Sequence, residues 1–171
     1  EEGRLRELDS ADNANWVSIL PPFTPEELEE IAQQYEVPLD FFTDSLDMEE
    51  RPRHEREEDA RFILVSTPIL NEVDDDSDTI YITIPIGIIL IPGYVITISS
   101  HENPVLQLFM EDRVKNFDPA DDSLFVLQIL EHNVYRFLTC LKKLNLKRNL
   151  IEAELFDSSR NRELRQLLGI E

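Results

Sequence analysis

Cysteine is almost missing: Cys140 is the only one in 171 residues. No internal disulfide can form, which excludes a stapled secreted framework and fits a reducing, cytosol-facing environment. Glycine is nearly as scarce, with four in the chain. The glycine-rich turns that cradle phosphates or dinucleotides are accordingly absent, as are G-x-S-x-G and H-E-x-x-H. Positive charge is short as well, 16 Lys+Arg against 36 Asp+Glu for a formal net charge of -20. Such a field repels a phosphate backbone unless a basic stripe overrides it, so nucleic acid is not an expected partner. Lys142, Lys143, Lys147 and Arg148 cluster on a predicted helix, but Glu152 and Glu154 neighbour them. Solubility is the plainest use of the acidity, followed by cations or basic partners. His54, His101 and His132 are far apart and, with one cysteine, offer no zinc spacing. Glu1 to Asp9 are charged and lack the plan of a signal peptide.

What remains is enough for one ordinary domain, burying roughly 70% of the surface of its unfolded chain. Asn15 to Leu20 reads as a short strand stopped by Pro21 and Pro22. Thr24 then caps a helix, with Pro25 at its first position and Glu27 completing a T-x-x-E capping box. Leu28, Ile31, Ala32 and Tyr35 share one face of it. Pro38 ends this helix, and Leu39 to Leu46 is a second helical turn with Phe41 and Phe42 inward. Asp47 to Arg61 is dense in charge. Ala60 to Leu70 is β-branched and aliphatic, a strand in which Pro68 signals an edge or a bulge.

Thr79 to Ser100 contains no charged residue and is long enough to suggest a membrane helix. Its pattern opposes that. Ile80, Ile82, Ile84, Ile86 and Ile88 recur at period two, and Pro85, Gly87, Pro92 and Gly93 would break a helix. Two or three buried strands are expected, with Pro92 and Gly93 turning between Ile88 to Ile91 and Tyr94 to Ser99.

Asn103 to Val114 is a predicted helix with Pro104 near its start. Asp118 is placed as the cap of a long helix, with Asp121 and Asp122 in its first turn, where the dipole favours carboxylates. Leu127, Leu130, Val134, Phe137, Leu141 and Leu144 step by threes and fours, extended by Ile151 and Leu155, as a stripe that packs on a sheet or on another helix. Asp157 to Asn161 is expected to interrupt it before a further helix from Arg162 to Leu168. The fold class expected is α/β, a three-layer α/β/α sandwich with a mixed sheet followed by long C-terminal helices. Residues 1–117 form the mixed-sheet part and 118–171 the helical part.

No local motif supplies a nucleophile with its base. Carboxylate pairs carry little information in so acidic a chain. The run from Asp74 to Asp78 has oxygen ligands for a hard cation but lacks the glycine and terminal glutamate of a helix-loop calcium site; a solvated hairpin tip is preferred.

W-V-S-I-L (Trp16 to Leu20), T-P-E-E-L (Thr24 to Leu28), D-S-L-D-M-E-E-R-P-R (Asp44 to Arg53) and the uncharged strands together resemble the cytoplasmic domain of CorA-type magnesium transporters, from about Asn15 to the end of the chain. The resemblance implies a domain that joins four others, a homopentamer, in a funnel on the cytoplasmic side of the membrane, with a stalk helix leading to two membrane helices. Gly-Met-Asn, the family's pore signature, does not occur, so the chain is expected to be a fragment that touches the membrane only through helices beyond it. The resemblance also carries a regulatory magnesium site between subunits onto Asp44, with Asp47 close by and the partner carboxylate on the stalk. Asp44 has an equal reading as a residue that caps or solvates a helical turn. No cofactor is expected to be needed for folding, and a non-enzymatic role is expected. A zinc-transporting branch of the same superfamily and an unrelated acidic, magnesium-dependent enzyme are the alternatives.

Overall fold

The computed structural model describes residues 14–71 and 80–167. The acidic run Asp74 to Asp78 lies outside the described residues. The chain divides into two compact units, Glu1–Arg136 and Phe137–Glu171.

The first unit is built on five strands: β1 (Trp16–Ile19), β2 (Arg53–Glu57), β3 (Ala60–Leu70), β4 (Tyr81–Ile91) and β5 (Tyr94–Ile98). They run β1-β5-β4-β3-β2, with β1 parallel to β5 and every other pair antiparallel, so the sheet is mixed. The uncharged segment is therefore a pair of strands. Pro92 and Gly93 turn between them, and Gly93 takes φ 88°, which a side chain would resist. Both faces of this sheet are covered, which is why the isoleucines need no polar alternation. Ile89, Ile96 and Ile98 point to one side with Phe62 and Leu64, while Ile86, Ile88 and Val95 point to the other.

Two short helices cover the first face. Helix α1 (Pro25–Gln34) starts at the expected capping box: Glu27 N donates to Thr24 Oγ1 at 3.2 Å and Thr24 N to Glu27 Oε2 at 2.7 Å. Helix α2 (Leu39–Asp44) buries Phe41 and Phe42, and Phe41 stacks on Phe62 with centroids 4.6 Å apart. On the opposite face lie α3 (Pro104–Met110), capped by Asn103, and the first turns of α4 (Asp122–Leu167). Trp16 joins this side, its ring 5.1 Å from that of Phe125 and its Nε1 donating to Thr97 Oγ1 at 2.9 Å. Three layers, α/β/α, result.

Several expectations need correction. The charged stretch holds a strand, β2, whose sequence RHERE has no apolar residue to reveal it; it is a sheet edge, where charge deters pairing with other chains. The edge expected at Pro68 is present locally, since β2 pairs β3 only as far as Leu64, so this half of β3 is bonded to β4 alone and tolerates a missing donor. The cap of α4 is Asp121, whose Oδ1 accepts from Leu124 N at 3.0 Å, while Asp118 closes a local turn onto Ala120 N at 2.9 Å. Helix α4 also continues through residues 157–161, because that stretch contains neither proline nor glycine and its polar residues cost a helix only tenths of a kcal/mol each, about 0.7 at most.

The face α4 turns to the sheet shares only Leu130, half-buried against the core, with the stripe read from the sequence. Phe125, Val126, Ile129 and Asn133 are buried; Leu127 and Val134 are exposed. The buried face carries polar groups that β3 satisfies. Thr67 Oγ1 donates to Asn133 Oδ1 at 2.9 Å, Asn133 Nδ2 donates to the Ser66 carbonyl at 2.9 Å, and Arg136 Nε donates to the Pro68 carbonyl at 2.7 Å. A count of apolar residues alone passes over such a face.

Candidate regulatory cation site

Asp44 is the last residue of α2, and its position follows from what precedes it. Phe41 and Phe42 anchor the helix, and Ser45 is fully buried with Oγ donating to the Phe41 carbonyl at 2.6 Å. Asp44 is thereby turned outward at a helix C-terminus, the end where the backbone dipole disfavours a carboxylate. That end leads through a turn into β2, and β2 brings a cation to meet it.

Arg53, the first residue of β2, directs one nitrogen to each of three carboxylates. Nη2 lies 2.5 Å from Asp44 Oδ2, Nη1 2.6 Å from Glu50 Oε2, and Nε 2.7 Å from Glu55 Oε1. The guanidinium carbon also stands 5.5 Å from the centroid of Phe62. The Glu55 hydrogen bond, opposed by desolvation and then aided by the Asp44 hydrogen bond, holds the Arg53 pKa above its ordinary value. All four side chains remain partly in water, so each contact contributes about 0.2 to 1 kcal/mol. Three carboxylates share one guanidinium, which leaves two negative charges uncompensated within the cluster.

Asp47 stands apart from this cluster. It is exposed, and its Oδ1 accepts from Glu49 N at 2.9 Å, a turn-closing contact. Asp44 and Asp47 are nonetheless joined by the backbone, since Asp47 N donates to the Asp44 carbonyl at 3.3 Å. Glu50, Arg53 and Glu55 are the residues sequence reading passed over; the alternation of charge through E-R-P-R-H-E-R-E was their only signal. Among the described residues, no three of His, Cys, Asp or Glu gather as a complete metal site. Magnesium is usually held through one or two carboxylates and several waters, and each carboxylate of this cluster is engaged by Arg53.

Elsewhere the surface offers less. A cavity of about 880 Å³ opens between the end of α1, the turn from β2 to β3 and the turn from β4 to β5, bordered by Glu29, Glu36, Glu57, Glu58 and Asp59. These carboxylates are all exposed, and among the described residues no histidine, serine or cysteine lines the cavity with them. Ser100 Oγ lies 3.0 Å from Nδ1 of the adjacent His101, but among the described residues no carboxylate meets the other ring nitrogen. Neither place assembles a nucleophile, a base and its orienting group. Among the described residues, no helix is long and apolar enough to cross a membrane.

Solved structures share this architecture. The complete CorA magnesium transporter from Methanocaldococcus jannaschii matches with a TM-score of 0.66 and 21% identity, over 89% of this chain and 47% of that one. The soluble domain of the same transporter matches with a TM-score of 0.65 and 21% identity, over 82% and 55%. The ZntB cytoplasmic domain from Vibrio parahaemolyticus matches with a TM-score of 0.59 and 16% identity, over 78% and 53%. At these identities the likeness is one of fold, and the chain spans about half the length of each of these structures. No curated protein matches it. Residues 11–171 match the CorA-like Mg2+ transporter protein family, to which this chain belongs.

Proposed function

We propose that the chain is the cytoplasmic regulatory and assembly domain of a CorA-like magnesium channel or transporter, and that it senses divalent cations at the boundaries between five copies of itself. Asp44 is the principal ligand in this reading, with Asp47 on the same turn, and a neighbouring subunit supplies a further carboxylate. The observation that carries it is the Asp44 cluster, in which three partly exposed carboxylates share a single guanidinium. Subunits of formal charge -20 repel one another, and a divalent ion shared across a boundary offsets that repulsion. Such an ion biases the assembly because it binds one arrangement of subunits better than the other, so falling magnesium favours the looser, conducting arrangement. An all-oxygen cluster favours magnesium over zinc, which prefers histidine and cysteine donors.

The test is thermal melting of the full-length assembled protein with and without magnesium. Magnesium raises the melting temperature by mass action, and Asp44→Ala removes most of the gain. Equal gains in wild type and variant would refute the assignment of Asp44.

A further inference from the structure

Arg53 stands where a bound cation would be expected to act. Its Nη2 is 2.5 Å from Asp44 Oδ2, the outward-facing carboxylate at the end of α2. A divalent cation drawn to that carboxylate would compete with the guanidinium for its negative charge. The two cations would also repel. Occupation by the ion therefore weakens the guanidinium's hold on this carboxylate.

The surroundings make such a local release feasible. Arg53 keeps separate partners for its other nitrogens, Glu50 at 2.6 Å and Glu55 at 2.7 Å, and its planar group lies near the Phe62 ring. Because the guanidinium is rigid and planar, the release falls to the Asp44 carboxylate, which can turn away from Nη2 while the contacts with Glu50, Glu55 and Phe62 hold the side chain in the cluster. Because the guanidinium is covalently attached, it is present at Asp44 at high effective concentration whatever the composition of the solution. Arginine stays ionised at any physiological pH, so this competitor is never switched off by protons.

We infer that Arg53 is a tethered counter-ion that occupies Asp44 in the ion-free state and, by competing with the divalent cation, sets the concentration at which the site fills. The inference rests on the reading of Asp44 as a cation ligand, and it adds a regulatory residue that contacts the ligand's carboxylate without itself binding the ion. A purely structural Arg53 would act in the opposite sense: its removal would loosen the turn that presents Asp44 and weaken cation binding.

The experiment measures the magnesium concentration giving half of the maximal thermal stabilisation of the full-length assembled protein, at constant ionic strength. Arg53→Met and Arg53→Gln both remove the charge, and both are expected to lower that concentration about two- to fivefold, the equivalent of losing one charge-assisted contact that is partly in water. An unchanged or higher midpoint in a folded neutral variant overturns the inference. So does loss of cooperative melting in both variants, which would assign Arg53 a structural role. Asp44→Ala separates the two readings. If it abolishes the magnesium response while the neutral variants leave the midpoint in place, Asp44 is a ligand and Arg53 is not its competitor; if it leaves the response intact, both readings fall.

Discussion

A β-carbon built on Gly87 would lie 1.8 Å from Ser45 Oγ and 2.6 Å from Ser45 Cβ, so α2 rests on β4 at a distance that only glycine permits. Ser45 follows Asp44 directly, and this close approach is what fixes the outward direction of the carboxylate. Gly87→Ala forces the helix end away from the sheet and disturbs the buried Ser45 hydroxyl, an overpacking cost of about 3 kcal/mol. Thermal unfolding should register it as a fall of about 6 to 12 °C in Tm. Adding Ser45→Gly, which removes both clashing atoms, should restore at least half of the loss; a single variant as stable as wild type would show that α2 has room to move.

The pairing of Thr67 with Asn133 supports a second expectation. Asn133 accepts from the Thr67 hydroxyl and donates to the Ser66 carbonyl, both at 2.9 Å, in a largely apolar layer. Asn133→Ala leaves the buried Thr67 hydroxyl and the half-buried Ser66 carbonyl without this partner and should cost about 1 to 3 kcal/mol in urea unfolding, whereas Thr67→Val with Asn133→Leu removes the hydroxyl as well and should recover about 1 kcal/mol of it. Recovery is partial because the Ser66 carbonyl stays unpaired. A double variant less stable than Asn133→Ala would contradict this assignment.

These two contacts mark where sequence reading succeeds and where it stops. The capping box at Thr24 and Glu27, the inward Phe41 and Phe42, and the strand nature of Ile80 to Ile98 were legible because each is fixed by local chemistry: a cap at a set spacing, a short helix after proline, a period of two broken by proline and glycine. Strand β2 was not legible, since an edge strand draws its identity from its partner and needs no apolar residue of its own. The meeting of Asp44 with Arg53, nine positions apart, was equally hidden. It depends on the path of the turn between α2 and β2, which charge patterning does not encode. Membership of the family, by contrast, was visible in the block from Asp44 to Arg53 before any coordinate.

Helix α4 shows how an apolar count misleads. Leu127 belongs to the regular stripe of threes and fours yet is 63% exposed, whereas Ile129, outside that stripe, is 0% exposed. Ile129→Ala should therefore destabilise by about 2 to 5 kcal/mol through the cavity it leaves. Leu127→Gln should stay within about 0.5 kcal/mol of wild type. Chemical denaturation of the two variants side by side decides it, and comparable losses would mean that the helix is rotated from the orientation described.

The Asp44 and Arg53 ion pair should be weak as a stabilising contact, whatever its part in cation sensing. Both side chains are about a quarter to a third exposed, 30% and 26%, so water and salt screen the attraction. A double-mutant cycle with Asp44→Ala and Arg53→Met, in the absence of magnesium, should give a coupling of about 0.5 to 1 kcal/mol. Raising the salt concentration to about 1 M, where the screening length falls to roughly 3 Å, should reduce that coupling by about half or more. The pH dependence has a definite sign. Because the folded pKa of Arg53 is raised, its contribution is complete below the unfolded value and is lost only as pH rises through the still higher folded one. Stability assigned to Arg53 should therefore be flat from about pH 6 to 9, below arginine's ordinary pKa. A coupling that changed across that range would mean that another titrating group takes part in the contact.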